Sequence, residues 1–236
     1  MARTRTTPRA PDPDVAEVAA LIGNPTRAAM LLALLGGGGL TATELAYRGG
    51  ASPQAASAHL RRLVDGRLLS VAASGRHRLY RLAGSGIAEA IEALLTIAPP
   101  RQVVALSQSI AMDRLRAART CYDHLAGRLG VAVTDALVAR GAVRAQRSGF
   151  DVTAKGERFF RELGVDVPAL RRGRRALGRA CIDWTERRPH LAGSLGHALL
   201  DRFVANTWII RRNGDRSVDV TERGRHAVAR VFGVTT

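Results

Sequence analysis

Hydrophobic residues in the first hundred positions recur at the spacing of amphipathic helices. The stretch 14–22 places its valines and Ile22 on one helical face. Pro25 follows Asn24 and starts the next helix, because proline is favoured in a first helical turn. The predicted helices cover 14–22, the string RAAMLLALL, a short segment around Leu45-Ala46, 53–64 and 85–98.

Alternating hydrophobic and polar residues surround Ser74-Gly75 and predict a β-hairpin with a basic tip. Ser52 and Pro53 occupy the N-cap and first position of the helix before it. Two helices followed by a basic hairpin and a closing helix are typical of a winged helix-turn-helix, which reads DNA bases with its second helix. The predicted DNA contacts are Thr43, Ser52, Gln54, Ser57, Ala58, Arg61 and Arg62 on the helices, with Arg76, His77 and Arg78 at the hairpin tip.

The strings NPTRAAMLLALL, TATELAYRGGASPQAASAHLRRLVDGRLL and SGRHRLYRLA resemble those of ArsR/SmtB-type winged-helix regulators, over about residues 14–98. The resemblance implies a homodimer that uses the first and last helices of this unit and binds a palindromic operator. Metal sensors of that family often carry cysteines in the segment that reads TATELAYRGG here, or Asp and His on the last helix, which offers only Glu89 and Glu92. The customary metal sites of the family are therefore not expected.

The string HLAG occurs twice beyond residue 100, at 124–127 and 190–193. Each copy precedes a similar Asp-Val-Thr string, at 151–153 and 219–221. Matching residues of the two copies are 66 positions apart at HLAG and 68 apart at Asp-Val-Thr, and this nearly constant spacing indicates an internal repeat. Each unit is predicted to be a helix, a hairpin and a helix. The fold class predicted for the whole chain is therefore mainly α with small β-hairpins: a winged helix at 14–98, then a helical, internally duplicated helix-hairpin-helix domain at 101–236, with units at about 121–166 and 181–234.

A cysteine stands two residues before an aspartate in each unit, at Cys121 and Cys181. If the first unit begins with a helix, Cys121 and His124 lie on one helical face, whereas His190 is nine residues from Cys181 and lacks that spacing. Cys121, His124 and Cys181 are the candidates for a zinc or redox site. The alternatives are that these residues only pack in the core, which predicts no cofactor, or that the units enclose a small organic effector.

Composition adds a strong positive charge, since 36 basic residues oppose 20 acidic ones for a net charge of +16. Such an excess favours a polyanionic partner such as double-stranded DNA. Residues 1–13 are predicted to form a disordered basic tail. No apolar run approaches the ~20 residues that a membrane span needs, so a cytoplasmic location is expected.

These features predict a sequence-specific transcriptional regulator, a repressor that an effector releases from DNA. The domain at 101–236 would sense that effector or brace the dimer. The sequence contains no phosphate-binding glycine loop and no recognisable catalytic arrangement, so an enzyme is not expected. The alternatives are a non-specific architectural DNA-binding protein and an enzyme with an accessory winged helix.

Overall fold

The computed structural model describes residues 13–75, 77–99, 106–212 and 215–235. Its N-terminal part has the predicted winged helix-turn-helix order, in which β1, β3 and β2 form an antiparallel sheet. The predicted tail falls outside the described residues except for its last position, 13. The elements are α1 (Val15–Ile22), α2 (Pro25–Leu34), β1 (Leu40–Thr41), α3 (Ala42–Gly49), α4 (Pro53–Asp65), β2 (Leu69–Ser74), β3 (His77–Leu82) and α5 (Ser85–Ile97).

Side-chain caps fix where the N-terminal helices begin. Asn24 accepts a hydrogen bond from the backbone N–H of Arg27, and Ser52 accepts one from Ala55. Thr41 and Glu44 form a reciprocal capping box at the start of α3. These caps orient α3 and α4 around a shared core of leucines. The core consists of Met30, Leu31, Leu34, Leu35, Leu45, Ala46, Ala56, Leu60, Leu63, Leu68, Leu69, Leu82, Ala88 and Ile91.

Arg27, in the Asn-Pro-Thr-Arg string, is buried and serves the fold. Its guanidinium donates to the backbone carbonyls of Leu21 and Ala20, each at 2.7 Å. These carbonyls belong to the last turn of α1, where helix C-termini leave acceptors without partners. Arg27 therefore fastens α1 to α2 and is not available to a DNA phosphate.

The C-terminal part packs around a second hydrophobic core that extends from Ala118 to Phe232. Two stretches of it share one element order: an antiparallel strand pair, a helix, a second strand pair and a second helix. The first stretch contains β4 (Arg119–Cys121), β5 (His124–Ala126), α7 (Gly127–Ala139), β6 (Val143–Gln146), β7 (Gly149–Val152) and α8 (Ala154–Glu162), and it is preceded by α6 (Leu106–Ala117). After α9 (Val167–Arg172), the second contains β8 (Arg179–Ile182), β9 (Pro189–Ala192), α10 (Gly193–Ala205), β10 (Ile209–Arg211), β11 (Val218–Val220) and α11 (Glu222–Phe232).

The prediction of a mainly α fold with helix-hairpin-helix units is wrong. The described residues contain eleven strands in four sheets, and each C-terminal unit opens with a strand pair where a helix was expected. In the HLAG string, the first three residues form a strand and the glycine begins a helix. Leu125 and Leu129 are both buried and lie four positions apart, which is also the spacing of a helical face. This spacing led to the wrong prediction of a continuous helix across the junction.

Glycine is required at both strand-to-helix junctions. Gly127 and Gly193 have φ of +72° and +83°, in the left-handed region that other residues rarely adopt. A Cβ on Gly127 would also lie 2.7 Å from the Arg116 carbonyl oxygen, and one on Gly193 would lie 2.6 Å from that of Ala176. These positions explain why the string recurs with its glycine.

The two units exchange strand contacts in a symmetrical way. The β6–β7 hairpin joins the β8–β9 pair through Gly149 and Arg179, which makes one four-stranded sheet. In the reciprocal position, Arg119 of β4 forms a β-bridge with Ser217, next to β11. The second hairpin of each unit thus lies beside the first hairpin of the other, and this arrangement brings the two opening hairpins together.

Candidate functional site

Helix α4 presents a polar face to solvent. Ala56, Leu60 and Leu63 are buried on the opposite side, whereas Gln54 and Arg61 are exposed. The remaining predicted DNA contacts of the two helices, Thr43, Ser52, Ser57, Ala58 and Arg62, are exposed as well. The structure thus leaves the predicted α4 side chains accessible to a DNA groove.

Two of these residues already have local hydrogen-bond partners. Ser52 caps α4, and the Ser57 hydroxyl donates to the Pro53 carbonyl at 2.9 Å. Gln54 and Arg61 are longer and reach further from the helix, so they are better suited to contacts with base edges.

The β2–β3 hairpin forms the wing next to α4. Ser74 pairs with His77 and Ala73 with Arg78, and Gly75 at the turn has a φ of +57°. His77 and Arg78 are exposed. Arg76 lies outside the described residues, so its predicted contact remains a prediction from the sequence alone.

A second site lies where the two opening hairpins of the C-terminal part meet. Cys121 of β4 is the cross-strand partner of His124 in β5, and Cys181 of β8 is the partner of His190 in β9. Each hairpin therefore contributes one thiol and one imidazole from directly opposed positions. We call these four residues the Cys–His cluster.

The polar atoms of the Cys–His cluster converge on one point. The Cys121 and Cys181 Sγ atoms are 3.8 Å apart, and the His124 and His190 Nε2 atoms are 3.1 Å apart. One ligand atom from each residue lies within 4.8 Å of the others. Cys181 is partly exposed and the other three residues are buried, so the cluster is largely shielded from water.

Each histidine of the cluster has a carboxylate near its other ring nitrogen. His124 Nδ1 lies 3.2 Å from Asp123 Oδ1, and His190 Nδ1 lies 3.4 Å from Asp183 Oδ2. His124 Nδ1 and Asp123 are hydrogen-bonded, whereas His190 Nδ1 has no hydrogen-bond partner among the described residues. Because a carboxylate accepts a hydrogen bond from Nδ1–H, it favours the tautomer whose Nε2 lone pair is free.

Arginines hold both carboxylates in place. Arg175 forms a two-pronged hydrogen bond with Asp123. Arg119 is fully buried, and its Nη2 atom lies 2.9 Å from Asp183 Oδ1. Its Cζ atom lies 4.7 Å from the centroid of the Trp184 ring. Although burial alone would raise the pKa of each carboxyl group, hydrogen bonds and these cations lower both below the usual range, so both remain ionised.

The two thiols have opposite proton affinities. Hydrogen bonds from Cys121, His124 and His190 lower the pKa of Cys181, despite its burial. The hydrogen bond to Cys181 and burial raise the pKa of Cys121. Burial lowers the pKa of His124, but its contacts with Asp123 and Cys181 outweigh this effect and raise it. The cluster therefore stabilises a thiolate at Cys181, next to a histidine that readily holds a proton.

The Cys–His cluster also borders the winged helix. A small cavity between α5 and the two opening hairpins is lined by Ala88 and Glu92 together with Cys121 and Cys181. Glu89 pairs with Arg179, two residues before Cys181, and Glu92 pairs with Arg216. The two glutamates that the last winged-helix helix offers thus face the C-terminal part of the same chain.

Sequence reasoning found three residues of the Cys–His cluster and missed His190. It placed Cys121 and His124 on one helix and rejected His190 because nine residues separate it from Cys181. In the hairpins, strand register sets the pairing and the turn length is free to differ. A sequence signal was present: aligning the two HLAG strings places His190 opposite His124, whatever the spacing to the cysteine.

Comparison with known proteins identifies the family. Residues 22–72 match a family described as a helix-turn-helix domain. A Bacillus subtilis (strain 168) protein named as an uncharacterized HTH-type transcriptional regulator, YdfF, is 43% identical over 223 residues, which cover 94% of this chain and 99% of the relative. The chain belongs to the HTH-type transcriptional regulators. The predicted function as a transcriptional regulator with a helix-turn-helix is confirmed at this level.

Two solved structures are similar to part of this regulator. NolR from Sinorhizobium fredii is 26% identical, with a TM-score of 0.32, over 35% of this chain and 81% of that chain. The cadmium metal-sensor CMTR from Mycobacterium tuberculosis is 29% identical, with a TM-score of 0.32, over 39% of this chain and 99% of that chain. Among the described residues of the regulator, no helix is long and apolar enough to cross a membrane.

Proposed function

We propose that this regulator is a sequence-specific repressor that binds a palindromic operator as a homodimer. The observation that carries the proposal is the exposed polar face of α4, with Gln54 and Arg61 free of the core and the basic wing beside it. A helix of this kind fits the major groove, and a wing contacts the DNA backbone. The net charge of +16 adds a sequence-independent attraction to phosphates.

Exposed apolar residues on α1 and α5 support the homodimer. Val15 is 74% exposed and Ile97 is 78% exposed, and α1 has no fully buried residue. Apolar side chains left in water on one protomer are favourable contacts once a second copy covers them. These are the first and last helices of the winged-helix unit, which the family resemblance assigns to the dimer interface.

Residues 101–236 are proposed to form a domain of two related units that changes DNA affinity in response to an effector. The ion pairs from Glu89 and Glu92 to the C-terminal part support this role. Glu89 pairs with Arg179 of β8, in one hairpin of the Cys–His cluster. Glu92 pairs with Arg216, whose backbone carbonyl accepts a hydrogen bond from the Thr120 N–H in the other hairpin. A change at those hairpins would move α5, and with it the dimer geometry that sets the spacing of the two α4 helices. We propose no catalytic role, which the name of the B. subtilis relative supports.

A footprint on the DNA that flanks the gene of the regulator tests the proposal. Two protected half-sites related by two-fold symmetry and spaced by about one helical turn, ~10 bp, are expected. The protection should survive a large excess of unrelated DNA. Uniform protection without sequence preference would instead favour the architectural alternative.

A further inference from the structure

We infer that the Cys–His cluster is a tetrahedral metal site that binds zinc through Cys121, His124, Cys181 and His190. The site joins the opening hairpins of the two C-terminal units. It differs from the customary metal sites of ArsR/SmtB-type sensors, because those lie in the winged helix itself.

The distances within the Cys–His cluster match the geometry that zinc requires. A tetrahedral ion with Zn–S bonds of about 2.3 Å and Zn–N bonds of about 2.0–2.1 Å places its two sulfurs about 3.8 Å apart and its two nitrogens about 3.3 Å apart. The two Sγ atoms here are separated by 3.8 Å and the two Nε2 atoms by 3.1 Å. The sulfur–sulfur and nitrogen–nitrogen distances thus fit a zinc-sized tetrahedron, and the ligand atoms of all four residues lie within 4.8 Å of one another.

The carboxylates beside the histidines supply the outer contacts of such a site. Histidines that bind metal usually donate their other N–H to a carboxylate or carbonyl, which fixes the ring and its tautomer. Asp123 is hydrogen-bonded to His124 Nδ1, and Asp183 lies 3.4 Å from His190 Nδ1. Both Nε2 lone pairs then face each other in a buried space, where they repel unless a proton or a metal ion lies between them.

The charges also balance. Two thiolates neutralise a divalent zinc ion, and Arg175 and Arg119 neutralise the two aspartates. Binding releases the protons that the two thiols and the two Nε2 atoms carry in the metal-free protein, and it leaves a neutral, largely buried centre. Because all four ligands come from the protein, no position remains for a substrate, so the site is structural or regulatory and not catalytic.

Metal content and cobalt spectroscopy on the full-length protein test this inference. We expect about one zinc per chain after purification without chelator, measured by mass spectrometry of the element. The metal-stripped chain should bind Co²⁺ with sulfur-to-cobalt charge-transfer absorption and the strong visible bands of tetrahedral coordination. Cys121→Ser should weaken the charge-transfer absorption, and His190→Gln should lower zinc affinity at least about 100-fold.

Two further variants separate coordination from a general loss of folding. His197→Gln is the matched control, because His197 lies 3.8 Å from Asp123 but is half exposed and outside the cluster. It should keep full zinc affinity. Asp123→Asn keeps all four ligands and should lower zinc affinity about 10–100-fold, with unchanged far-ultraviolet circular dichroism.

Four results would overturn the inference. The first is a folded, reduced wild type that binds neither ion stoichiometrically. The second is cobalt bound without sulfur charge transfer, and the third is unchanged zinc affinity in His190→Gln. A Cys121–Cys181 disulfide in a chain whose reduced form binds no zinc would likewise replace the metal site with a redox pair.

Discussion

Glu92 of α5 and Arg216, just before β11, form a buried ion pair between parts of the chain 124 residues apart. Glu92 is only 3% exposed and Arg216 only 9%. The Arg216 carbonyl also accepts a hydrogen bond from the Thr120 N–H at 2.9 Å, next to Cys121. Arg216 thereby connects the winged helix to the hairpin that carries Cys121 and His124.

Glu92→Gln is expected to destabilise the protein by about 3–5 kcal/mol. The substitution leaves the Arg216 charge buried without its counter-ion, and such charges are costly. The free energy of unfolding from urea denaturation measures the effect. Glu89→Gln is the matched control: its partner Arg179 is partly exposed, so the loss should be about 1 kcal/mol or less. Equal losses in the two variants would contradict the importance of burial.

Substitutions on α4 should change sequence preference. Gln54→Ala and Arg61→Ala are each expected to cost about 1–3 kcal/mol of operator binding and to relax selectivity at particular base pairs. Binding to a library of operator variants measures both effects. Arg223→Ala, an exposed arginine on α11, should leave selectivity intact. If operator and random DNA lose the same affinity, these residues do not read bases.

The wing should contribute affinity without selectivity. Arg78→Ala is expected to weaken binding to all sequences alike, because its guanidinium would contact phosphate and not a base. The slope of log affinity against log salt should fall by about one unit. An unchanged slope would mean that the wing points away from the DNA.

The dimer should depend on the exposed apolar residues of α1 and α5. Val15→Glu or Ile97→Glu would place a charge in a desolvated interface and is expected to shift the chain toward monomer in light scattering at micromolar concentration. Ile210→Glu is the control, since Ile210 is 53% exposed on β10 in the C-terminal part. A wild type that is monomeric with and without operator would refute the proposed interface.

The N-terminal fold could be predicted because its signals are local. Asn24, Thr41 and Ser52 cap helices through bonds to residues three positions ahead, and the core positions follow the helical period. Such features need no knowledge of distant parts of the chain. The same holds for the exposed face of α4, which follows from the buried positions opposite it.

The HLAG repeat was visible in the sequence, but its secondary structure was not. Leu125 precedes the junction between β5 and α7 and Leu129 follows it, so a helical period continued through residues that are partly strand. Strands β4 and β5 have three residues each, too few for a clear alternation. The positive φ of Gly127 marks the junction between the strand and the helix.

The sequence by itself determined the polar face of the helix that is proposed to read DNA. It also determined that the C-terminal part has two copies of a cysteine, an aspartate and a histidine. The tertiary structure decided which of them meet. Cys181 and His190 become neighbours because antiparallel strands place opposite residues side by side, whatever the length of the turn between them. The two hairpins, about 60 residues apart, then converge because each unit packs its second hairpin against the first hairpin of the other.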